Sequence, residues 1–542
     1  MIKPKRALNA FDLSHEYKGT CNMGYRIPVL CLDVMPGDTI DLKSSVFLRM
    51  APLIGPVMHR YDVKLHTFYL TENAMMPKDY ESFMTGGKNG DDSTVWPHMK
   101  SPVGGYKRGS LGDYLGYACS TLSGDGQGQT NQINGYYLHS AYPNRMYAKI
   151  FNHYYINENI QDEVPVSEDP GLDTVTNVDL LKANWQKDYF TSALDTTQRG
   201  TPVYIPIGTS APVIGNGMTI GLTDGVDNKG LTYGDLNNYG TVDAQNSKYG
   251  TPTGTTGVVS SQGSSHRTLG LTTDPAKSGL ITDLSLAASA PYSDFRLGAR
   301  VNYLQELNKR IGYRLVEWTL GHFGVKVPDD TIYEPVYLGG GSGPIMITPI
   351  EQTSQTTESS PQGNLAGRGT SALTTRPIRK TFTQHGWVMT IMSIMPKAEY
   401  SQGLAKKFQR KTRWDYALPV MDGAGDDKIL QSELYVQGSN VVDTDNVLLD
   451  DKEFGYKPRF EEYRSEFSTV HGEMRKGGSE TYMTGGRLFE NMPQLNAQFV
   501  EADPSYRIFA VEDPDVHHFD FEVLHEVRML RPLSMYGDTS LI

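Results

Sequence analysis

The chain has 542 residues, a formal net charge of −12, 55 glycines and 30 prolines. That length is enough for several average domains or for one large β domain with insertions. The acidic balance argues against a strongly basic nucleic-acid-binding protein, although it leaves room for local basic patches.

Apolar and polar residues alternate in several segments, which is the pattern of a strand with one buried face. Together with runs that are apolar on both faces, this pattern predicts strands near 25–34, 39–50, 60–70, 383–395 and 518–530. No run of about 18 apolar residues occurs, and no apolar segment follows the charged N-terminus, so we expect neither a membrane span nor a secretory signal. Strands at both ends of a long chain indicate a non-local β fold such as a sandwich.

Helices are fewer. Apolar residues at three- and four-residue steps predict a helix over 293–320, and a shorter one is expected over 400–413. Residues 208–270 hold 13 glycines and few large aliphatic side chains, which predicts weak β structure stabilised by neighbours. The polar tract 352–375 predicts an extended loop.

The sequence contains no motif typical of phosphate or dinucleotide binding, of metalloproteases or of serine hydrolases. The GGGSG run at 339–343 lacks the Lys-Ser/Thr pair of a phosphate-binding loop, and a tight turn explains it more simply. His517 and His518 are interpreted as a surface pair, because adjacent side chains on a strand point to opposite faces. Acidic pairs such as Asp450-Asp451 are interpreted as solvated loop charge, which leaves a divalent cation open. We predict no catalytic residue, metal ligand or cofactor.

The cysteines are Cys21, Cys31 and Cys119. Their number is odd and no C-x-x-C spacing occurs, which favours buried thiols in a reducing compartment over a disulfide framework or a zinc site.

One basic cluster, residues 406–414, interleaves cations with aromatic rings. Cations hold phosphates while bases stack on rings, so this arrangement suits single-stranded nucleic acid. The candidate contacts are Lys406, Lys407, Arg410, Lys411, Arg413 and Trp414, with a smaller N-terminal patch of Lys3, Lys5 and Arg6. A solvated helix face or a subunit interface is the simpler explanation of the cluster, and the sequence does not separate these alternatives.

Several blocks, taken together, resemble the major capsid proteins of the Microviridae, closest to the gokushovirus-like branch. They are MGYRIPVLCLDVMPGDTIDL, WQKDYFTSAL with TQRGTPV, EPVYLGGGSGPIMITPIEQTS, FTQHGWVMTIMSI, KKFQRKTRWDYALP and LHEVRMLRPLSMYG. The blocks occur in order and cover nearly the whole chain apart from much of 208–285.

The resemblance implies a mainly β chain: one eight-stranded antiparallel jelly roll of the viral capsid type, with large loop insertions and a few helices. We expect a single capsid domain, 1–542, with a core from about 20–70, 185–207, 335–400 and 500–535. Residues 290–325 would be a helical insertion and 208–285 a variable insertion. The latter would form a protrusion at the threefold axis, with Val213, Ile214, Ile220 and Leu222 buried between copies.

The resemblance also implies a structural role. Sixty copies would build a T=1 icosahedral shell around circular single-stranded DNA in the cytoplasm of a bacterial host. Further partners would be a small basic DNA-condensing virion protein, a pilot protein and a host surface receptor. From the interleaving of cations and rings on an otherwise acidic chain, we predict that 406–413 and the N-terminal residues face the particle interior. The alternatives are a carbohydrate-active β-sandwich enzyme, which needs two suitably spaced carboxylates, and a carbohydrate-binding module.

Overall fold

A computed structural model provides the structure of the chain, which divides into two compact units. One unit is Met1–Thr197 with Lys309–Ile542, and the other is Gln198–Asn308. The structure describes residues 8–85, 94–119, 133, 135–200, seven short strands between 213 and 282, 292–311, 320–324, 333–351 and 365–535.

Eight strands of the first unit form two antiparallel sheets. In chain order they are β1 (His15–Cys21), β2 (Ile27–Val34), β3 (Thr39–Met50), β4 (Tyr61–Thr71), β5 (Val336–Pro344), β6 (Leu365–Thr374), β7 (Gly386–Pro396) and β8 (Phe519–Arg531). One sheet has the order β1-β8-β3-β6, and the other has the order β2-β7-β4-β5. Strands that are distant in sequence are therefore neighbours, as in a jelly roll. The predicted fold class is confirmed, and each of the five predicted strands is present.

Shorter strands extend these sheets or form separate hairpins. Asn9–Asp12 pairs with β8, Met346–Glu351 with β6 and Ile378–Thr381 with β3. Two further antiparallel strand pairs lie outside the sandwich, His98–Lys100 with Leu138–Ser140 and Asp426–Leu430 with Glu453–Pro458.

The main hydrophobic core lies between the two sheets. Leu48 on β3 and Val523 on β8 share one cluster with Leu65 on β4 and Ile394 on β7, and all four side chains are buried. On β3 and β8 the polar neighbours Arg49 and Glu522 lie on the opposite face, because successive side chains of a strand point to opposite faces, whereas β7 is buried on both faces. Period-two patterning thus locates this core, and each fully buried aliphatic side chain contributes about 1.5–3 kcal/mol of transfer free energy.

Two glycine-rich or polar segments that we expected outside the sheets are strands. The GGGSG run lies within β5, so the predicted tight turn is wrong. A Cβ at Gly340 would lie 2.1 Å from the carbonyl oxygen of Leu65 on the neighbouring strand, so the close approach of β5 requires glycine there. In the predicted loop 352–375, residues 365–374 form β6, whereas 352–364 lie outside the described residues.

The longest helix is Tyr292–Ile311, which confirms the prediction over that span, and 312–319 lie outside the described residues. The helix predicted over 400–413 is wrong, because this segment contains only a 3₁₀ turn at Lys406–Phe408 and the first residue of another. Tyr142–Ile150, which continues as the π-helix Phe151–Tyr155, was not predicted. Among the described residues, the other α-helices are Glu72–Met75, Tyr80–Thr85, Leu111–Tyr114, Gln431–Leu434 and Ala497–Val500, and 320–323 are also helical. The remaining 3₁₀ turns are Arg413–Asp415, Pro419–Met421, Leu449–Asp451, Glu461–Tyr463, Gly472–Met474 and Thr481–Met483.

Residues 185–197, which we expected in the jelly-roll core, contain turns and no strand. Their aromatic side chains instead build a second cluster, in which Trp185 and Phe190 pack with Phe454 and Phe499. This stretch therefore anchors the long segment between β7 and β8.

Short strands occur in the second unit, as the composition of 208–270 predicted. Val213–Gly215 pairs with Leu280–Thr282, and Gly221–Thr223 pairs with both Asn228–Gly230 and Gly270–Leu271. Val259–Gln262 and Ser265–Thr268 form a further antiparallel pair. Each strand has only two to four residues.

A buried histidine on β8 makes the stability of the first unit depend on pH. The Nε2 atom of His525 lies 3.0 Å from the Val29 carbonyl oxygen, and Nδ1 lies 2.9 Å from the Ser44 hydroxyl. Because a carbonyl only accepts, Nε2 carries the proton and Nδ1 accepts from Ser44, which describes a neutral ring. Burial lowers the pKa of His525 to about 4.

We therefore expect the folded chain to lose stability as the pH falls from 6.5 to 4, because the unfolded chain gains a proton at His525 near pH 6.5 and the folded chain does not until about pH 4. The loss from this residue is on the order of 2–3 kcal/mol. Thermal unfolding followed across this range should show a shallower pH dependence for His525→Gln than for the parent. The exposed His471→Gln is the matched control, and an equally shallow profile for that variant would refute the assignment.

Candidate nucleic-acid interface

The basic cluster follows β7 in an irregular segment of the first unit. Two 3₁₀ turns, Lys406–Phe408 and Arg413–Asp415, set its course. The carboxylate of Asp415 accepts from the backbone N–H groups of Lys411 and Thr412 at 2.8 and 2.7 Å. The Asp415 carboxylate therefore caps this turn.

Three of the five cations in the cluster form ion pairs within the chain. Lys406 Nζ lies 3.0 Å from Asp427 Oδ2, and it also donates to the Lys428 carbonyl at 2.9 Å. Lys407 pairs with Glu466, and Arg410 Nη2 lies 3.6 Å from Glu462 Oε1 in a largely buried pair. A phosphate at these three positions would have to displace a carboxylate.

Arg410 is held on its other side by aromatic rings. Its guanidinium lies 4.4 Å from the ring centroid of Tyr463 and 5.3 Å from that of Tyr416. Cation–π contacts of this kind are worth about 0.5–2 kcal/mol. Arg410 therefore packs against the rings of Tyr463 and Tyr416, and it also neutralises the charge of Glu462.

The other two cations stay available. Lys411 and Arg413 are exposed, and neither makes an ion pair with any residue that the structure describes. The Arg413 guanidinium lies 4.5 Å above the ring of Trp414, which is itself half exposed. Of the predicted nucleic-acid contacts in the cluster, these three residues retain the geometry that the hypothesis needs.

The structure also shows an apolar surface that sequence reasoning missed. The exposed fractions are 70% for Phe408, 49% for Trp414, 54% for Tyr416, 40% for Leu418 and 94% for Val420. We name residues 408–420 the aromatic arm. The sequence does contain a pattern at this surface, because large apolar residues occupy alternate positions 414, 416, 418 and 420, as they would in a strand. The segment nevertheless pairs with no strand that the structure describes.

The other predicted site residues are placed only in part. Lys3, Lys5, Arg6 and Ile220 lie outside the described residues. Val213 and Ile214 lie in one strand of the second unit, opposite Thr282 and Ile281, and Leu222 lies in another, opposite Lys229 and Leu271.

The prediction that His517 and His518 form a surface pair is wrong for His518. His518 is not on the surface, because its ring is buried with Nδ1 2.9 Å from Asn22 Oδ1 and Nε2 2.8 Å from the Val511 carbonyl. His517 contacts the Thr20 hydroxyl. In the described part of the chain, no group of three or more His, Cys, Asp or Glu side chains is arranged to hold a metal ion.

Comparison with known proteins gives one family. A family model described as capsid protein (F protein) matches residues 3–541. The chain is 31% identical to capsid protein VP1 of Chlamydia phage 1, over 98% of this chain and 95% of that protein. It is 31% identical to capsid protein VP1 of Bdellovibrio phage phiMH2K, over 97% of this chain and 94% of that protein. It is 28% identical to capsid protein VP1 of Spiroplasma virus 4, over 91% of this chain and 87% of that protein.

Proposed function

This chain belongs to the capsid protein (F protein) family of phages, and we propose that sixty copies of it form a T=1 icosahedral shell around circular single-stranded DNA. As a member of that family it is a structural protein of the virion and not an enzyme. The observation that best supports the proposal is the jelly-roll order of the two sheets, within a family match that spans nearly the whole chain. A rigid sandwich with long insertions gives each copy a fixed core and leaves the loops to contact its neighbours.

The proposed role of the tract 208–285 is a protrusion at the threefold axis that contacts a receptor on the bacterial surface. The tract lies within the second unit, and its described strands have four residues or fewer. Ordering a backbone costs about 1–2 kcal/mol per residue, which strands this short offset poorly on their own. Three copies that share contacts through Val213, Ile214, Ile220 and Leu222 would supply the missing burial.

The proposed partners of the shell are the packaged DNA, a small basic DNA-condensing protein and a pilot protein, with assembly in the host cytoplasm. We assign the DNA contacts of this chain to the N-terminal Lys3, Lys5 and Arg6. Lys406, Lys407 and Arg410 are less suited to that role, because carboxylates of the same chain already neutralise them.

The mass of the particle tests the copy number. Sixty copies of the 60.2-kDa chain give a protein shell of about 3.6 MDa. The chain should be produced together with the other virion proteins, and the particles should be purified. After the shells have been opened and treated with nuclease, charge-detection mass spectrometry measures their mass. A chain that stays monomeric, or that gives open sheets and filaments without a closed mass, would contradict the proposal.

A further inference from the structure

The aromatic arm has little cover from its own chain. Nine of the ten residues 411–420 are exposed, and the regular structure of this stretch consists of two 3₁₀ turns. Monomeric proteins rarely expose several large apolar side chains side by side, and such patches mark interaction sites. Val420 in particular is about as exposed as in an unfolded chain.

The backbone of the arm is nevertheless attached to the body of the first unit. Arg459 Nη2 donates to the Trp414 carbonyl at 3.3 Å, and the Ala417 N–H donates to the Tyr463 hydroxyl at 3.4 Å. Arg464 forms an ion pair with Asp422 just beyond the arm. These contacts fix the main chain and leave the apolar side chains facing outward.

The exposed area is of the size that an interface between proteins needs. Phe408, Trp414, Tyr416 and the adjacent Tyr463 are each half exposed or more. At roughly 200 Å² for a large aromatic side chain, they present about 450 Å² of ring surface. One partner of a typical stable interface contributes about 800 Å², so these rings supply about half of it.

Charge favours a protein partner of acidic character. Lys411 and Arg413 add two unpaired cations to the arm, whereas the whole chain carries a net charge of −12. The average surface of another copy is therefore acidic and complementary to the arm. Nucleic acid fits less well, because Leu418 and Val420 offer neither a cation for phosphate nor a ring for a base.

We propose that the aromatic arm docks against a second copy of this chain, as a contact between neighbouring subunits. The inference rests on the proposed shell, and it assigns to this surface the subunit interface that the sequence left open. Trp414 and Tyr416 are its central anchors, since large aromatic side chains dominate the binding energy of interfaces. Leu418 and Val420 extend the apolar contact.

Photo-crosslinking tests the occupant directly. Trp414→p-benzoylphenylalanine should be introduced by codon suppression, and particles assembled with the other virion proteins should be irradiated. We expect a covalent dimer of this chain, with the crosslinked peptide mapped by mass spectrometry. Crosslinks to DNA, crosslinks to another virion protein, or no dimer in closed particles would each overturn the inference.

Truncation of the arm gives an independent readout. We expect Trp414→Ser with Val420→Ser to lower the yield of closed shells by about tenfold or more, while the soluble chain keeps its unfolding temperature. Val103→Ser is the matched control, because Val103 is also highly exposed and lies outside the arm. Equal losses in the control and the arm variant, or normal shells from the arm variant, would refute the inference. If the parent chain itself forms no closed shells, the proposed function fails and not the assignment of the arm.

Discussion

Replacing residues 208–285 with a short Gly-Ser linker should leave shell assembly intact and abolish most attachment to host cells. The physical reason is that the sandwich contains its own core between β3, β4, β7 and β8, all of which lie outside the tract. The strands that the structure describes in the tract have four residues or fewer, so we expect its loss to leave the core of the sandwich unchanged. Attachment through many copies is multivalent, and we expect adsorption to fall by about 100-fold or more.

Particle yield and adsorption to host cells measure the two halves of this expectation separately. A matched control replaces 121–130, another segment rich in glycine and polar residues, with a linker of the same length. That control should adsorb normally. Normal adsorption without the tract would contradict the receptor role, and loss of all shells would assign the tract to the scaffold.

Arg145→Met should produce the largest loss of stability, because it leaves a carboxylate buried without its partner. Arg145 and Asp173 are both buried, with Arg145 Nε 2.8 Å from Asp173 Oδ2. The guanidinium also donates to the carbonyls of Met75 and Asp169 at 3.0 and 2.7 Å, so it joins three segments. Burial alone would raise the pKa of Asp173, but hydrogen bonds from Thr176 and Arg145 lower it.

Removal of one member of a buried pair costs about 3–5 kcal/mol. For a chain of this length, that corresponds to a fall of about 3–4 °C in the melting temperature. Differential scanning calorimetry of the unassembled chain measures it. Arg49→Met is the control, because the Arg49–Asp520 pair is about half exposed, and exposed pairs contribute less than about 1 kcal/mol. Equal shifts in the two variants would show that burial of the Arg145 pair does not matter.

The strands with alternating side chains were predictable because their pattern reflects burial on one face. β3 and β8 alternate along their length, and the structure buries the face that the sequence indicated. β5 and β6 lack that pattern. Gly340 is needed because β5 approaches the backbone of β4 closely, and such an approach is a tertiary feature that local propensity does not record.

The basic cluster could be recognised in the sequence, but the ion pairs that its cations form could not. Lys406, Lys407 and Arg410 pair with acids 21 to 59 positions further along the chain, and no local pattern connects them. A helix over 400–413 was expected, whereas the side chains of this segment pair with acids at three other places in the chain and its backbone forms only 3₁₀ turns. In the aromatic arm, large apolar residues alternate at 414–420, but the segment is exposed and forms no strand.

A reconstruction of the assembled particle by electron cryomicroscopy would show the symmetry of the shell and the contacts of each subunit. We expect a closed T=1 shell of sixty jelly-roll subunits, with 208–285 gathered at the threefold axes and the aromatic arm against a neighbouring copy. A shell of another symmetry, or particles in which this chain forms no part of the shell, would contradict this expectation.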